Sequence, residues 1–115
     1  MFVRFSPDPN YTWDAGGGTS DWATAANWNP DGTPGTSDNV TIDSTGGINP
    51  LLDAGRTITN FTFSVKTLNL NGFTLTATGA STFSSGIINN GTMNPTGLSP
   101  NNTTFSGTTF GANVI

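Results

Sequence analysis

The sequence predicts an all-β chain. Within that class it predicts a parallel β-solenoid (β-helix), with a loop-rich, Trp-containing N-terminal cap over residues 1–37 and solenoid turns over 38–115. Three observations lead there. Between Thr57 and Phe110 a pattern of Thr, Phe, Asn and Gly returns about every 20 residues, a period typical of solenoid repeats. Segments such as Thr57-Ile58-Thr59 and Thr67-Leu68-Asn69-Leu70 alternate polar with apolar residues, which sends the two kinds to opposite faces of a strand. Asn71-Gly72 and Asn90-Gly91 supply residues that accept the positive φ of a tight corner. A strand of only a few residues cannot bury its apolar face alone, so such units must stack. Asn-Gly also favours the two-residue type I′ hairpin, so an antiparallel β-sandwich stays open as the alternative.

The repeat marks set an expected register. Thr62-Phe63, Thr82-Phe83 and Thr104-Phe105 form one series, and Leu68, Leu70, Gly72 and Thr74 align with Ile87, Asn89, Gly91 and Met93.

Taken in order, the chain begins with Phe2, Val3 and Phe5 at alternating positions, a short leading strand broken by Pro7 and Pro9. Residues 11–43 hold all 3 tryptophans, Trp13, Trp22 and Trp28, among Gly- and Pro-rich loops. Ser20-Asp21 ahead of Trp22-Ala23-Thr24-Ala25-Ala26 predicts an N-cap and one helical turn. The first turn of a solenoid exposes its apolar interior, and three large indoles are suited to plug it. Asp38-Asn39-Val40-Thr41-Ile42-Asp43 starts the alternating strands. Pro50 to Gly55 reads as a corner with the pair Leu51-Leu52 turned inward, and Phe73 to Thr78 and Ile87-Ile88 continue the repeats. Gly97 to Asn102 is the last loop before Thr103 to Phe110. The chain ends on Asn113-Val114-Ile115 in mid-pattern, which predicts a longer solenoid or a C-terminal edge stacked on another chain.

Composition narrows the partners. Of 115 residues 33 % are hydrophobic and only 9 % charged, and the place of the charges is taken by Thr, Asn, Ser and Gly, which suit an exposed β surface. Low hydrophobicity without high net charge is not the signature of disorder. The net charge of −4 and the 3 basic residues, Arg4, Arg56 and Lys66, argue against nucleic acid and an anionic membrane surface as partners. No apolar run approaches the length of a membrane span, and no signal peptide follows Met1. With 0 cysteines there are no disulfides or thiolate metal sites. The Thr- and Asn-rich, Lys- and Glu-poor balance points to the outside of a cell.

Thr12-Trp13-Asp14, Asp21-Trp22, Asn27-Trp28, Gly32-x-Pro34 and Asp38-Asn39-Val40-Thr41-Ile42 together resemble the opening of many large secreted bacterial surface proteins, in which such a segment introduces a right-handed β-helix. Leu68 to Leu75 and Gly107 to Phe110 are similar to the repeats of those adhesin-like proteins. The resemblance implies a right-handed parallel β-helix and an extracellular structural or adhesive role as stalk, adhesin or assembly unit. It implies no catalytic residues. Members of that group are usually much longer.

Four chemistries are conceivable for these residues. Parallel β-helices also host polysaccharide lyases, and Asp43, Asp53, Arg56 and Lys66 could lie on neighbouring turns. With no His, Glu or Cys the general acid–base and nucleophilic options are thin, and the expectation is a non-catalytic chain without a cofactor. Asp14, Asp21, Asp31 and Asp38 fall in the loop-rich cap, where carboxylates suit calcium. Their spacing matches no calcium motif, and each also reads as a turn or cap residue, so calcium is not favoured. Tyr11, Trp13, Trp22 and Trp28, if exposed, would form a platform for sugar rings, the alternative function being a carbohydrate-binding surface module. Buried, they are the core of the cap. Finally, Thr57-x-Thr59 and Thr74-x-Thr76-x-Thr78 are arrays one repeat apart that could present a regular, ice-like face. The pattern lapses at Ile87-Ile88-Asn89, and outward Thr is ordinary in strands.

Overall fold

The computed structural model describes residues 10–95 and 104–110. The leading strand expected at Phe2 to Phe5, the loop at Gly97 to Asn102 and the ending at Asn113 to Ile115 lie outside them. The chain is all-β. Among the described residues the ten strands are β1 (Asn10–Trp13), β2 (Trp28–Asn29), β3 (Asn39–Ile42), β4 (Arg56–Ile58), β5 (Phe61–Phe63), β6 (Thr67–Asn69), β7 (Thr74–Ala77), β8 (Ser81–Phe83), β9 (Ile87–Asn94) and β10 (Thr104–Phe110). The helical turn expected over Trp22 to Ala26 forms later, as a single 3-10 turn at Ala25–Asn27. Asp21 organises the bend ahead of it, because its Oδ1 accepts from Ala23 N at 3.3 Å and its Oδ2 from the Thr24 hydroxyl at 2.9 Å.

Two sheets share the strands. The first has the order β2-β1-β3-β5-β8; in the second, β10-β9-β7-β4 run side by side and β6 also pairs with β9. Among the described residues the strand pairs are parallel except β1 with β2. The antiparallel β-sandwich does not describe this arrangement, since neither Asn-Gly mark closes a hairpin: Asn71-Gly72 joins strands that turn onward, and Asn90-Gly91 lies within β9. Asn71 has φ 54° and Gly72 φ 82°, and the strands they connect, β6 and β7, both pair with β9.

Alternation places the core. In β5, Phe61 and Phe63 are buried and Thr62 is exposed. Val40 opposes Phe61, Ile42 opposes Phe63 and Phe63 opposes Phe83, so apolar side chains stack in files through the first sheet. Leu68 opposes Ile88 and Leu75 opposes Met93 in the second. These residues, with Leu52, Ile58, Leu70, Ala77 and the three tryptophans, form one buried cluster. In the Pro50 to Gly55 corner only Leu52 of the expected pair turns inward; Leu51 is half-buried and bridges Asp21 and Asn69 through its backbone.

The register differs from the expected alignment in one instructive way. Leu68 lies opposite Ile88 rather than Ile87, and Leu75 rather than Thr74 lies opposite Met93. The constant spacing read from the two Asn-Gly marks is an average across corners of unequal length. β6 and β7 are joined through Leu70 to Phe73, whereas β9 passes the same bend unbroken, with Asn90 at φ 62°. Gly91 makes that shorter bend possible: a Cβ there would lie 2.4 Å from Leu70 Cβ and 2.6 Å from Phe73 O. The Thr104-Phe105 mark also belongs elsewhere, pairing with Ile87-Ile88 rather than continuing Thr62-Phe63 and Thr82-Phe83.

Candidate functional site

The cap is built from its aromatic residues. β1 and β2 bring Trp13 opposite Trp28, and the ring centroids are 5.2 Å apart at 84°. Trp22 meets Trp28 at 4.7 Å and 72°, so the three indoles interlock edge to face. Trp13 Nε1 donates to Ile48 O at 2.8 Å and Trp28 Nε1 to Trp22 O at 2.8 Å, while Trp22 Nε1 is buried without an acceptor. All three tryptophans are 0 % exposed. Sugar stacking needs an open ring face, so the platform of Tyr11, Trp13, Trp22 and Trp28 does not exist as an exposed surface. Tyr11 alone is half-buried, packed against the core with its ring over Gly32.

Asn27, which the sequence reading gave no role, is the hub of this segment. It is 0 % exposed. Its Nδ2 donates to Thr19 Oγ1 and to Asp21 O, both at 2.9 Å, and its Oδ1 accepts from Gly17 N at 2.9 Å. Its carbonyl accepts from Asp14 N and Ala15 N. A buried amide with its polar atoms satisfied fixes a loop that has few regular hydrogen bonds. The signal available in the sequence was its place beside Trp28 in the opening pattern.

The calcium candidates are not brought together. Asp14 Oδ1 accepts from Gly16 N at 2.9 Å and Asp38 Oδ2 from Gly35 N at 2.7 Å, while Asp21 holds the bend already described. Asp31 lies exposed in the loop after β2. Among the described residues no three acidic side chains approach closely enough to hold an ion. Asp14, Asp21 and Asp38 each close a local turn, as short acidic side chains commonly do.

The four groups considered for lyase chemistry form two separate pairs. Arg56 holds Asp53 with NH2 contacts of 2.8 Å to both carboxylate oxygens. Lys66 is 7 % exposed, and its Nζ donates to the backbone carbonyl of Asp43 at 2.7 Å. It is not a solvated surface charge: its stem is enclosed and its ammonium is held by a carbonyl. Asp43 Oδ1 accepts from Thr45 N at 2.8 Å. That bond and the Thr45 hydroxyl hold the Asp43 carboxyl below its ordinary pKa; burial opposes them in part, and the Lys66 charge adds a smaller lowering.

Asparagines tie successive strands at one corner. Asn39 Nδ2 donates to Asn10 Oδ1 at 2.9 Å, Asn39 Oδ1 accepts from Asn60 N at 3.1 Å, and Asn60 Oδ1 accepts from Ala80 N at 2.7 Å. The side chains thus stitch β1, β3, β5 and β8 where the strand ladder ends. No helix among the described residues is long and apolar enough to cross a membrane.

Compared with protein-family models, curated proteins and solved structures, the chain matches none.

Proposed function

We propose that the chain is a stretch of right-handed parallel β-solenoid that serves as a structural module, a stalk, adhesin or assembly unit, of an extracellular bacterial surface protein, without catalysis. The observation that carries this reading is the succession of parallel registers. Val40 opposes Phe61 and Phe61 opposes Ser81 in the first sheet, while Thr67 opposes Ile87 and Ile87 opposes Thr104 in the second, each step about twenty residues on. Parallel strands joined by crossovers favour the right-handed sense. In such a chain the backbone hydrogen bonds run along the long axis, so load is shared by many ladders and a thin polypeptide becomes a stiff rod. The indole cluster and the Asn27 network close one end of the core, which supports the role of residues 1–37 as a cap.

The surface role rests on the polar, nearly uncharged skin and on the resemblance of the opening segment to adhesin-like proteins. A module of this kind presents strand edges. β4 and β10 are the outermost described strands of the second sheet, and a head-to-tail contact between copies would extend that sheet and repeat without closing. Light scattering on the full chain over rising concentration tests this. The weight-average mass is expected to climb with concentration; a strictly monomeric mass across the range would sink the assembly role.

A further inference from the structure

We propose that the outer face of β4, β7 and the second half of β9 is an ice-binding surface, a two-dimensional array of threonine hydroxyls. The apparent break in the threonine pattern at Ile87-Ile88-Asn89 does not fall on this face. β9 is shared: Ile87, Ile88 and Asn89 pair with Thr67, Leu68 and Asn69 of β6, whereas Thr92, Met93 and Asn94 pair with Thr74, Leu75 and Thr76 of β7. One file therefore runs Thr57, Thr76, Asn94 and a second runs Thr74, Thr92, with Thr109 of β10 at the next register position. Thr59 and Thr78 extend the face past the strand ends, where Gly79 N still reaches Thr59 O at 2.8 Å.

The inner partners Ile58, Leu75, Ala77 and Met93 are buried, so alternation turns the threonines outward. The hydroxyls of Thr57, Thr74, Thr76 and Thr92 make no hydrogen bond among the described residues. Thr59 Oγ1 and Thr78 Oγ1 donate to the carbonyls of Thr36 and Ile58, which holds their rotamers. Hydroxyls thus recur about 4.8 Å apart across strands and about 6.7 Å apart along them, two repeats of the order of oxygen spacings in ice. Threonine adds a methyl beside each hydroxyl and stiff χ1 preferences, so ordering water there costs little side-chain entropy. No aromatic ring or charged side chain stands at these array positions, which disfavours a sugar or a charged polymer.

The first sheet supplies the contrast. Its threonines Thr12, Thr41, Thr62 and Thr82 also stack in register, but the neighbouring outward positions of β1 and β3 are Asn10 and Asn39, whose amides bond to each other, so no second threonine file lies beside them. They make a single file that repeats in one direction and cannot match a lattice plane.

This inference stands on the strand pairing and does not require surface display or self-association. Its test is thermal hysteresis and inhibition of ice recrystallisation by the full chain, with Thr76→Tyr in the middle of the array and Thr62→Tyr on the single file as control. Circular dichroism and melting temperature verify folding, and Thr57→Tyr replaces Thr76→Tyr should the latter not fold. Hysteresis present in the parent and in Thr62→Tyr and lost in the array variant is the expected result. Absence of hysteresis in the parent, its survival in the array variant, its loss in the control, or adsorption to crystalline cellulose or chitin in place of ice would each overturn the proposal.

Discussion

Lys66 Nζ donates to the main-chain carbonyl of Asp43 across 2.7 Å, tying the corner after β5 to the corner after β3, one strand earlier in the same sheet. Asp43 holds its own corner through Thr45 N at 2.8 Å. A buried cation and a half-buried carboxylate thus stabilise two successive corners by backbone contacts rather than by a direct ion pair. Lys66→Ala leaves the Asp43 carbonyl without its donor and empties the space of the stem, and is expected to cost about 1–3 kcal/mol in urea unfolding. Lys66→Met, which keeps the stem, should recover part of that loss.

The Asp43 carboxyl has a lowered pKa in the folded chain. Its contribution to stability is therefore complete above the unfolded value, ~4, and is lost as pH falls through the lower folded value. Melting temperatures recorded from pH 6 downward should fall in that acid window, and Asp43→Asn should flatten the part of the slope that Asp43 supplies. An unchanged slope would show that Thr45 does not favour the ionised form.

Val65 is 57 % exposed and sits at φ 56°, a conformation that β-branched residues rarely adopt. It is the centre of a tight turn closed by Lys66 N to Ser64 O at 2.7 Å, and its own N–H reaches Ser85 Oγ at 3.0 Å. Both bonds are main-chain donations that a substitution keeps. Val65→Asn is accordingly expected to stabilise the chain by about 1 kcal/mol in chemical denaturation, by releasing part of the left-handed penalty. A loss of stability would contradict the strain.

Gly91 and Gly47 should respond oppositely to alanine. At Gly91 the added methyl meets Leu70 Cβ at 2.4 Å and Phe73 O at 2.6 Å, and at Gly47 it meets nothing within 4 Å. Thermal melts are expected to show Gly91→Ala destabilised by about 1–3 kcal/mol. Gly47→Ala should be neutral or slightly stabilised through the stiffer unfolded chain.

The tryptophans differ in what their nitrogens do. Trp→Phe at position 28 forfeits the 2.8 Å bond to Trp22 O, and at position 13 the bond to Ile48 O, whereas Trp22 Nε1 has no acceptor to lose. Trp22→Phe should therefore be the mildest of the three by about 1 kcal/mol in unfolding free energy. Equal losses at all three positions would refute the ranking.

Much of the strand content was legible because it is local. Val40 and Ile42, Phe61 and Phe63, and Leu75 and Ala77 alternate with polar residues, and each set folded with its apolar members inside. Asn71-Gly72 announced its corner through the same positive φ it adopts. Leu51-Leu52 was harder. A pair of adjacent leucines in an extended segment cannot both face inward, and its split between core and half-buried bridge follows from the backbone pairing of Leu51 with Asp21 and Asn69. Asn27 and Lys66 carry no local mark of burial, since polar residues go inside only when distant partners satisfy them.

By itself the sequence determined that short alternating strands would form, where several corners fall, and that no His, Glu or Cys chemistry is on offer. Only the tertiary structure decided which residues share a file, that Ile87 and Thr92 belong to neighbours of different strands, and that all three indoles lie inside. The physical reason is range. Strand and corner preferences are set by adjacent side chains, whereas register is settled by corner lengths and by the packing of residues some twenty positions apart, a sum that no single stretch contains.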